Sequence, residues 1–174
     1  MGHAYSSLYG IPMTFLRFFT VYGPWGRPDM ALFLFVKNIL KGRPINVYNY
    51  GKHTRDFTYV GDIVDGISSL INRIPTGKKN WNSKNLNQSE SLAPFKILNL
   101  GNGEKVKLME LIKEVENQLG KKAKINYMKF QKGDISSSLS KLTETKKYIN
   151  YNPKISIKKG ISLFISWYKK YYFV

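Results

Sequence analysis

The stretch Arg17-Phe18-Phe19-Thr20-Val21-Tyr22-Gly23-Pro24-Trp25-Gly26-Arg27-Pro28-Asp29-Met30 decides the fold. It continues a β-branched and aromatic run that starts at Met13, just after Pro12, and predicts a buried strand from Met13 to Phe19. Glycines and prolines between Tyr22 and Asp29 predict a loop. The strand therefore delivers Thr20 to a loop at its carboxyl end, where open α/β sheets hold ligands. Upstream, residues 1–10 read as the last turns of a helix, with Gly10 placed where a helix end wants positive φ. Downstream, Met30 to Lys41 is apolar on nearly every face, which predicts a mostly buried helix ending at Gly42.

The same alternation of strand and helix continues. Ile45 to Tyr48 predicts a short strand, Gly51-Lys52-His53 a turn, and Arg55 to Val60 another strand. Asp62 is the expected N-cap of the next helix, whose apolar stripe would be Ile63, Val64, Ile67, Leu70, Ile71 and Ile74. Residues 75–94, rich in Pro, Gly, Lys, Asn and Ser, predict a long flexible surface loop. Then come a strand at Phe95–Leu100, a turn at Gly101 and Gly103, and an amphipathic helix through Leu108, Leu111, Ile112, Val115 and Leu119 that stops at Gly120. A short strand at Ile125–Tyr127 follows. The last helix shows one face of Ile157, Ile161, Phe164, Ile165, Tyr168 and Tyr172. The class is mixed α/β with short strands. A self-contained parallel α/β domain opens with strand, glycine turn and helix, whereas this sequence opens at the end of a helix.

Composition narrows the function. The 174 residues are 43% hydrophobic and include no cysteine, so a core can form, and disulfides and thiolate metal sites are excluded. No apolar run reaches the roughly 20 residues of a membrane helix, and the first residues lack the features of a signal peptide. Met1-Gly2 is only a weak start of a myristoylation motif. A cytoplasmic location and no membrane partner are expected. The net charge of +17 invites an anionic partner. Yet lysines are spread along the chain and travel with asparagine and isoleucine, a mixture that AT-rich coding yields without selection for binding. A nucleic-acid module with clustered arginines is not expected. His3 and His53 have no carboxylate at ligand spacing, so no metal site is expected either.

Two segments carry a family resemblance. One is Arg17–Met30; the other is Gly51-Lys52-His53-Thr54-Arg55-Asp56-Phe57-Thr58-Tyr59-Val60-Gly61-Asp62-Ile63. Together they resemble extended short-chain dehydrogenase/reductase enzymes acting on nucleotide sugars, and the first resembles UDP-glucuronate 4-epimerases, including capsule-biosynthesis members. The likeness continues through Val47-Tyr48-Asn49-Tyr50-Gly51, Leu98-Asn99-Leu100-Gly101-Asn102, Gln131-Lys132-Gly133-Asp134 and Trp167-Tyr168. It implies a partial Rossmann-like fold: residues 1–30 end a truncated dinucleotide-binding domain, and 31–174 form a small mixed α/β lobe that binds the UDP-sugar.

It also implies roles. Arg55 would pair with the UDP diphosphate, for which a guanidinium fork is suited; on the bare sequence it could equally pair with Asp56. Thr20 would face the sugar, and its hydroxyl could donate to a substrate carboxylate. Arg27 would favour an anionic sugar. Tyr48 would pack on the base or ribose, or simply serve the core. Gln131 and Asp134 would contact the diphosphate and ribose, while Tyr22 and Pro24 would line the cofactor side. Two positions depart from the family pattern: Lys141 lies where an aspartate is usual, and Gly61 replaces an acidic residue beside Asp62.

The resembling enzymes exchange hydride with bound NAD and use a Tyr-x-x-x-Lys pair as acid and base. Gly101-Asn102-Gly103 lacks the third glycine of a dinucleotide fingerprint. Tyr5 and Tyr9 have no lysine at the needed offset, and the resemblance puts the pair just upstream of Met1. No catalytic residue is therefore assigned. The expectation is an epimerase portion that neither binds NAD nor turns over UDP-glucuronate or UDP-galacturonate alone, completed by a separately encoded N-terminal half. A decayed product is the competing reading, and decarboxylase or 4,6-dehydratase ancestry is disfavoured by Thr20, where those enzymes carry asparagine. Isolated, the chain is expected to aggregate or remain partly disordered, because the Pro12–Phe19 strand would present an unpaired edge and an apolar face.

Overall fold

A computed structural model describes residues 1–82, 84, 87 and 89–174. Helix α1 (Gly2–Tyr9) ends at Gly10 with φ of 64°, as its sequence demands. Strand β1 (Met13–Phe18) pairs in parallel with β6 (Phe95–Leu100). The expected burial of β1 is not met: Phe15 and Phe18 are 40% and 50% exposed, because among the described residues only β6 flanks the strand. The chain then bends into a second strand, β2 (Thr20–Tyr22), where a loop was expected to begin. Its partner is β5 (Phe57–Tyr59), also parallel.

Helix α2 (Ala31–Leu40) buries Leu32, Phe33, Phe35, Val36 and Ile39, while Leu34 faces solvent. Strand β3 (Ile45–Val47) pairs in parallel with β8 (Ile125–Tyr127). The predicted strand at 55–60 splits into β4 (Thr54–Arg55) and β5, and β4 pairs antiparallel with the short β7 (Val106–Lys107). The cause of the split is Asp56, which turns inward between them, as described below.

Asp62 does not cap α3 (Val60–Ser68), whose N-cap is Tyr59. Its buried carboxylate instead accepts the amides of Lys154 and Ile155, at 3.0 and 3.1 Å. The predicted stripe is also only partly used. Ile63 is buried, whereas Val64, Ile67, Ile71 and Ile74 are exposed. The helix stops at Ser68, and the Ser69 hydroxyl donates to Asp65 O at 2.8 Å, followed by tight turns.

Helices α4 (Leu108–Leu119) and α6 (Ile157–Tyr172) form as their apolar periods predict, and α4 ends at Gly120 with φ of 63°. Helix α5 (Thr143–Ile149) was not foreseen: it is short and polar, and it is held by Thr145 Oγ1 donating to Asn99 O at 2.7 Å. The main core lies between α2, α4 and α6, joined by Tyr22, Ile45, Val47 and Phe57. A smaller cluster of Ile63, Leu100, Leu142, Ile149 and Tyr151 packs under β6. Described parts of the 75–94 segment are tied down: Lys78 donates to Glu90, and its amide donates to Ser91 O.

Candidate functional site

Arg55 and Asp134 meet across 79 residues of sequence. Arg55 Nη2 donates to Asp134 Oδ1 at 2.8 Å, and its Nη1 donates to Thr54 O at 3.1 Å. The backbone explains the encounter. A turn closed by Asp134 N donating to Gln131 O, with Gly133 at φ of 85°, reverses the chain. The segment after it is laced onto β4: Thr54 N donates to Ser136 O, Ser138 N donates to Thr54 O, and the Thr54 and Ser137 hydroxyls bond at 2.8 Å. The Arg55 side chain is 17% exposed and that of Asp134 34%, so the pair sits at the rim of the fold, partly in contact with solvent. His53 completes the cluster, buried against Phe130, with Nε2 3.4 Å from Asp134 Oδ2.

Asp56 takes no part in this pair. Successive strand residues face opposite sides, so Arg55 points to the rim and Asp56 into the interior. The fully buried Asp56 carboxylate accepts from the amides of Asn102 (2.7 Å), Gly103 (3.0 Å) and Ser140 (2.9 Å), and from the hydroxyls of Thr58 and Ser140. A side chain at Gly101 would clash with Ser140 and crowd Asp56. Nothing in the local pattern marked Asp56 as more than a neighbour of Arg55; its donors come from residues 102, 103 and 140.

The other expected site residues are placed as follows. Thr20 opens β2, half-buried, with its amide donating to Asp56 O at 3.0 Å. Arg27 lies in the following loop, bonded to Asp29 through Nε at 3.1 Å and Nη2 at 2.5 Å, with both groups largely exposed. Hydrogen bonding to Arg27 holds the Asp29 carboxyl below its usual range. Tyr48 is 37% exposed and starts a 3-10 turn. Gln131 is exposed in the turn before Asp134.

Tyr22 is a core residue. Its ring packs edge-on against Phe57 and Tyr59, and its hydroxyl fills the space that a side chain at Gly160 would need. A cofactor contact by this side chain would require the ring to leave the core. Burial pushes its phenol pKa far up, and nearby Asp62 adds to the shift. Pro24 is half-buried in the loop.

Two chemical candidates are removed by the geometry. Tyr48 and Lys52 stand four residues apart, a coincidence of spacing with the acid–base pair. They lie on a 3-10 turn whose Asn49 and Tyr50 have φ of 51° and 50°, not on the α-helix that such a pair requires. Among the described residues, the Gly101-Asn102-Gly103 turn is no dinucleotide cradle. It leads into β7 rather than directly into a helix, and its free amides are already taken by Asp56.

Comparison with known proteins places these motifs. Residues 1–83 match the model of the NAD dependent epimerase/dehydratase family. That segment is similar to members of this family. Over 172 residues the chain is 46% identical to protein CapI of Staphylococcus aureus, covering 99% of this chain and 52% of that protein. It is 40% identical over 174 residues to a probable UDP-glucuronate 4-epimerase of Rhizobium meliloti, covering 99% and 51%. Among solved structures, the UDP-glucuronic acid 4-epimerase of Bacillus cereus in complex with UDP-glucuronic acid and NAD superposes with a TM-score of 0.81 at 28% identity, over 98% of this chain and 49% of that one. The α/β fold is thus that of Rossmann-like epimerases. The chain spans about half the length of the curated relatives it matches.

Proposed function

We propose that this chain is the substrate-holding part of an NAD-dependent nucleotide-sugar epimerase, taking UDP-glucuronate and its C4 epimer UDP-galacturonate. The observation that carries this reading is the Arg55–Asp134 pair. It joins the two motifs expected at the diphosphate and ribose, at a rim where a nucleotide can reach both. Arg55 offers further N–H donors in a fixed plane to phosphate oxygens. Asp134 can accept from ribose hydroxyls, and Gln131 can donate beside it. Thr20 and Arg27 would hold the sugar carboxylate, with Arg27 exchanging Asp29 for the substrate. Tyr48 would cover the base.

NAD, when bound, supplies hydride acceptance and return at the sugar C4. Pro24 would line the cofactor side, and no residue here is assigned to move the proton. Residues 1–30 would end the dinucleotide-binding domain, and 31–174 would form the substrate lobe. Exposed Leu8 and Tyr9 of α1 and Phe15 and Phe18 of β1 support a further polypeptide packing there, carrying the cofactor and the acid–base pair.

Calorimetric titration tests the substrate. UDP-glucuronate should bind about ten-fold tighter than UDP-glucose, a gap of about 1.4 kcal/mol, and Arg27→Ala should abolish that preference while leaving UDP affinity unchanged. Equal affinity of the unaltered chain for the two sugars would sink the anionic-sugar reading.

A further inference from the structure

His53 stands out among the polar groups because its situation is unresolved. Its side chain is 6% exposed, and Nε2 has no hydrogen-bond partner among the described residues. Leaving a buried donor or acceptor unmet destabilises the fold. The atom nevertheless points at something, since Asp134 Oδ2 lies 3.4 Å away without the alignment of a hydrogen bond. The other oxygen, Oδ1, is engaged twice, by Arg55 Nη2 at 2.8 Å and by the amide of Ile135 at 2.7 Å. The carboxylate is thus drawn toward Arg55 and held just short of His53. Arg55 is fixed from behind by Thr54 O, so its guanidinium is not free to follow the carboxylate if the pair opens.

We propose that His53 is the positioning residue that takes over Asp134 when a diphosphate-bearing ligand takes Arg55. This rests on the reading of Arg55 as the diphosphate group. Phosphate oxygens compete for the same guanidinium edge as Asp134 and would leave a negative carboxylate beside negative phosphate. A small rotation brings Oδ2 onto Nε2–H, meets the buried nitrogen, and turns Asp134 away from the phosphate while keeping it at the rim. The two arrangements exchange one bond for another: Arg55–Asp134 in the free protein, Arg55–phosphate and His53–Asp134 in the complex. His53 is in this way a specificity element. It lowers the cost of vacating Arg55 for a ligand with two phosphates, and it does nothing for a nucleoside without them.

The chain has only two histidines, which makes the test direct. Ring 15N–1H correlation spectra of the protein should show the His53 Nε2 resonance move when UDP or inorganic pyrophosphate is added. His3, whose Nε2 already bonds the Ser91 hydroxyl at 2.8 Å, should stay in place as the internal control. Uridine should move neither. His53→Phe should weaken UDP binding about ten-fold, and His53→Gln, which keeps an N–H donor, should recover most of the loss. If UDP binds in an Arg55-dependent way while the His53 resonance stays fixed, the takeover is wrong and the diphosphate reading stands. If neither UDP nor pyrophosphate binds, both fall together.

Discussion

Asp56 is fully buried, yet it is surrounded by donors from four other residues. It ties the β4–β5 junction to the turn after β6 and to Ser140, and so fixes the backbone from which Arg55 projects. Replacing it with Asn would keep the shape but set an NH2 group against backbone amides, and each orphaned buried donor costs about 1–3 kcal/mol. Asp56→Asn is therefore expected to lower stability by about 3 kcal/mol or more, read as a fall in the urea midpoint at unchanged slope. A loss below about 1 kcal/mol would mean that water replaces these bonds. Residue types and family motifs pointed to Arg55 and Asp134, whereas the role of Asp56 was not legible. An aspartate following an arginine reads as its ion-pair partner until the strand's alternation sends the two apart. His53 was hidden for the opposite reason: a lone histidine in a turn gives no hint of burial.

At the scale of elements, α6 does more than close the core. Its Trp167 and Tyr171 hold Trp25, with ring centroids 5.4 and 4.9 Å apart, and Trp25 sits in the loop that carries Arg27. Trp25 adopts φ of 62°, a strained conformation for a bulky residue. Two terms of opposite sign meet here. The left-handed backbone costs about 1–2 kcal/mol, and each aromatic pair returns about 0.5–1.5 kcal/mol. Trp25→Gly removes both, so stability should change by less than about 1 kcal/mol while UDP-glucuronate affinity falls several-fold, because Arg27 loses its anchor. Unchanged affinity for UDP-glucuronate would show that the loop needs no latch. Helices α4 and α6 were legible because a 3.6-residue apolar period and glycine or serine caps agree. The stripe on α3 overran its helix, since periodicity does not register the Ser69 side chain bonding back to the helix. Helix α5 has no apolar face long enough to announce itself.

The chain spans about half the length of the curated relatives it matches, and its apolar surface is unevenly spread. One side gathers a packed core from α2, α4 and α6. Apolar residues of α1 and β1, and Ile67, Ile71 and Ile74 along and beyond α3, are exposed. Strand β1 looks internal by composition and has one neighbour among the described residues. The meeting of Arg55 with Asp134 was not legible in the sequence, because it depends on how residues 134–138 lace onto β4. The excess of positive charge suits an anionic ligand, and Arg55 is the proposed place for its phosphates. A crystal structure of the chain with UDP alone is the most direct measurement. The account predicts diphosphate oxygens about 3 Å from the Arg55 guanidinium, with Asp134 released from it. UDP bound elsewhere, with the Arg55–Asp134 pair intact, would contradict it.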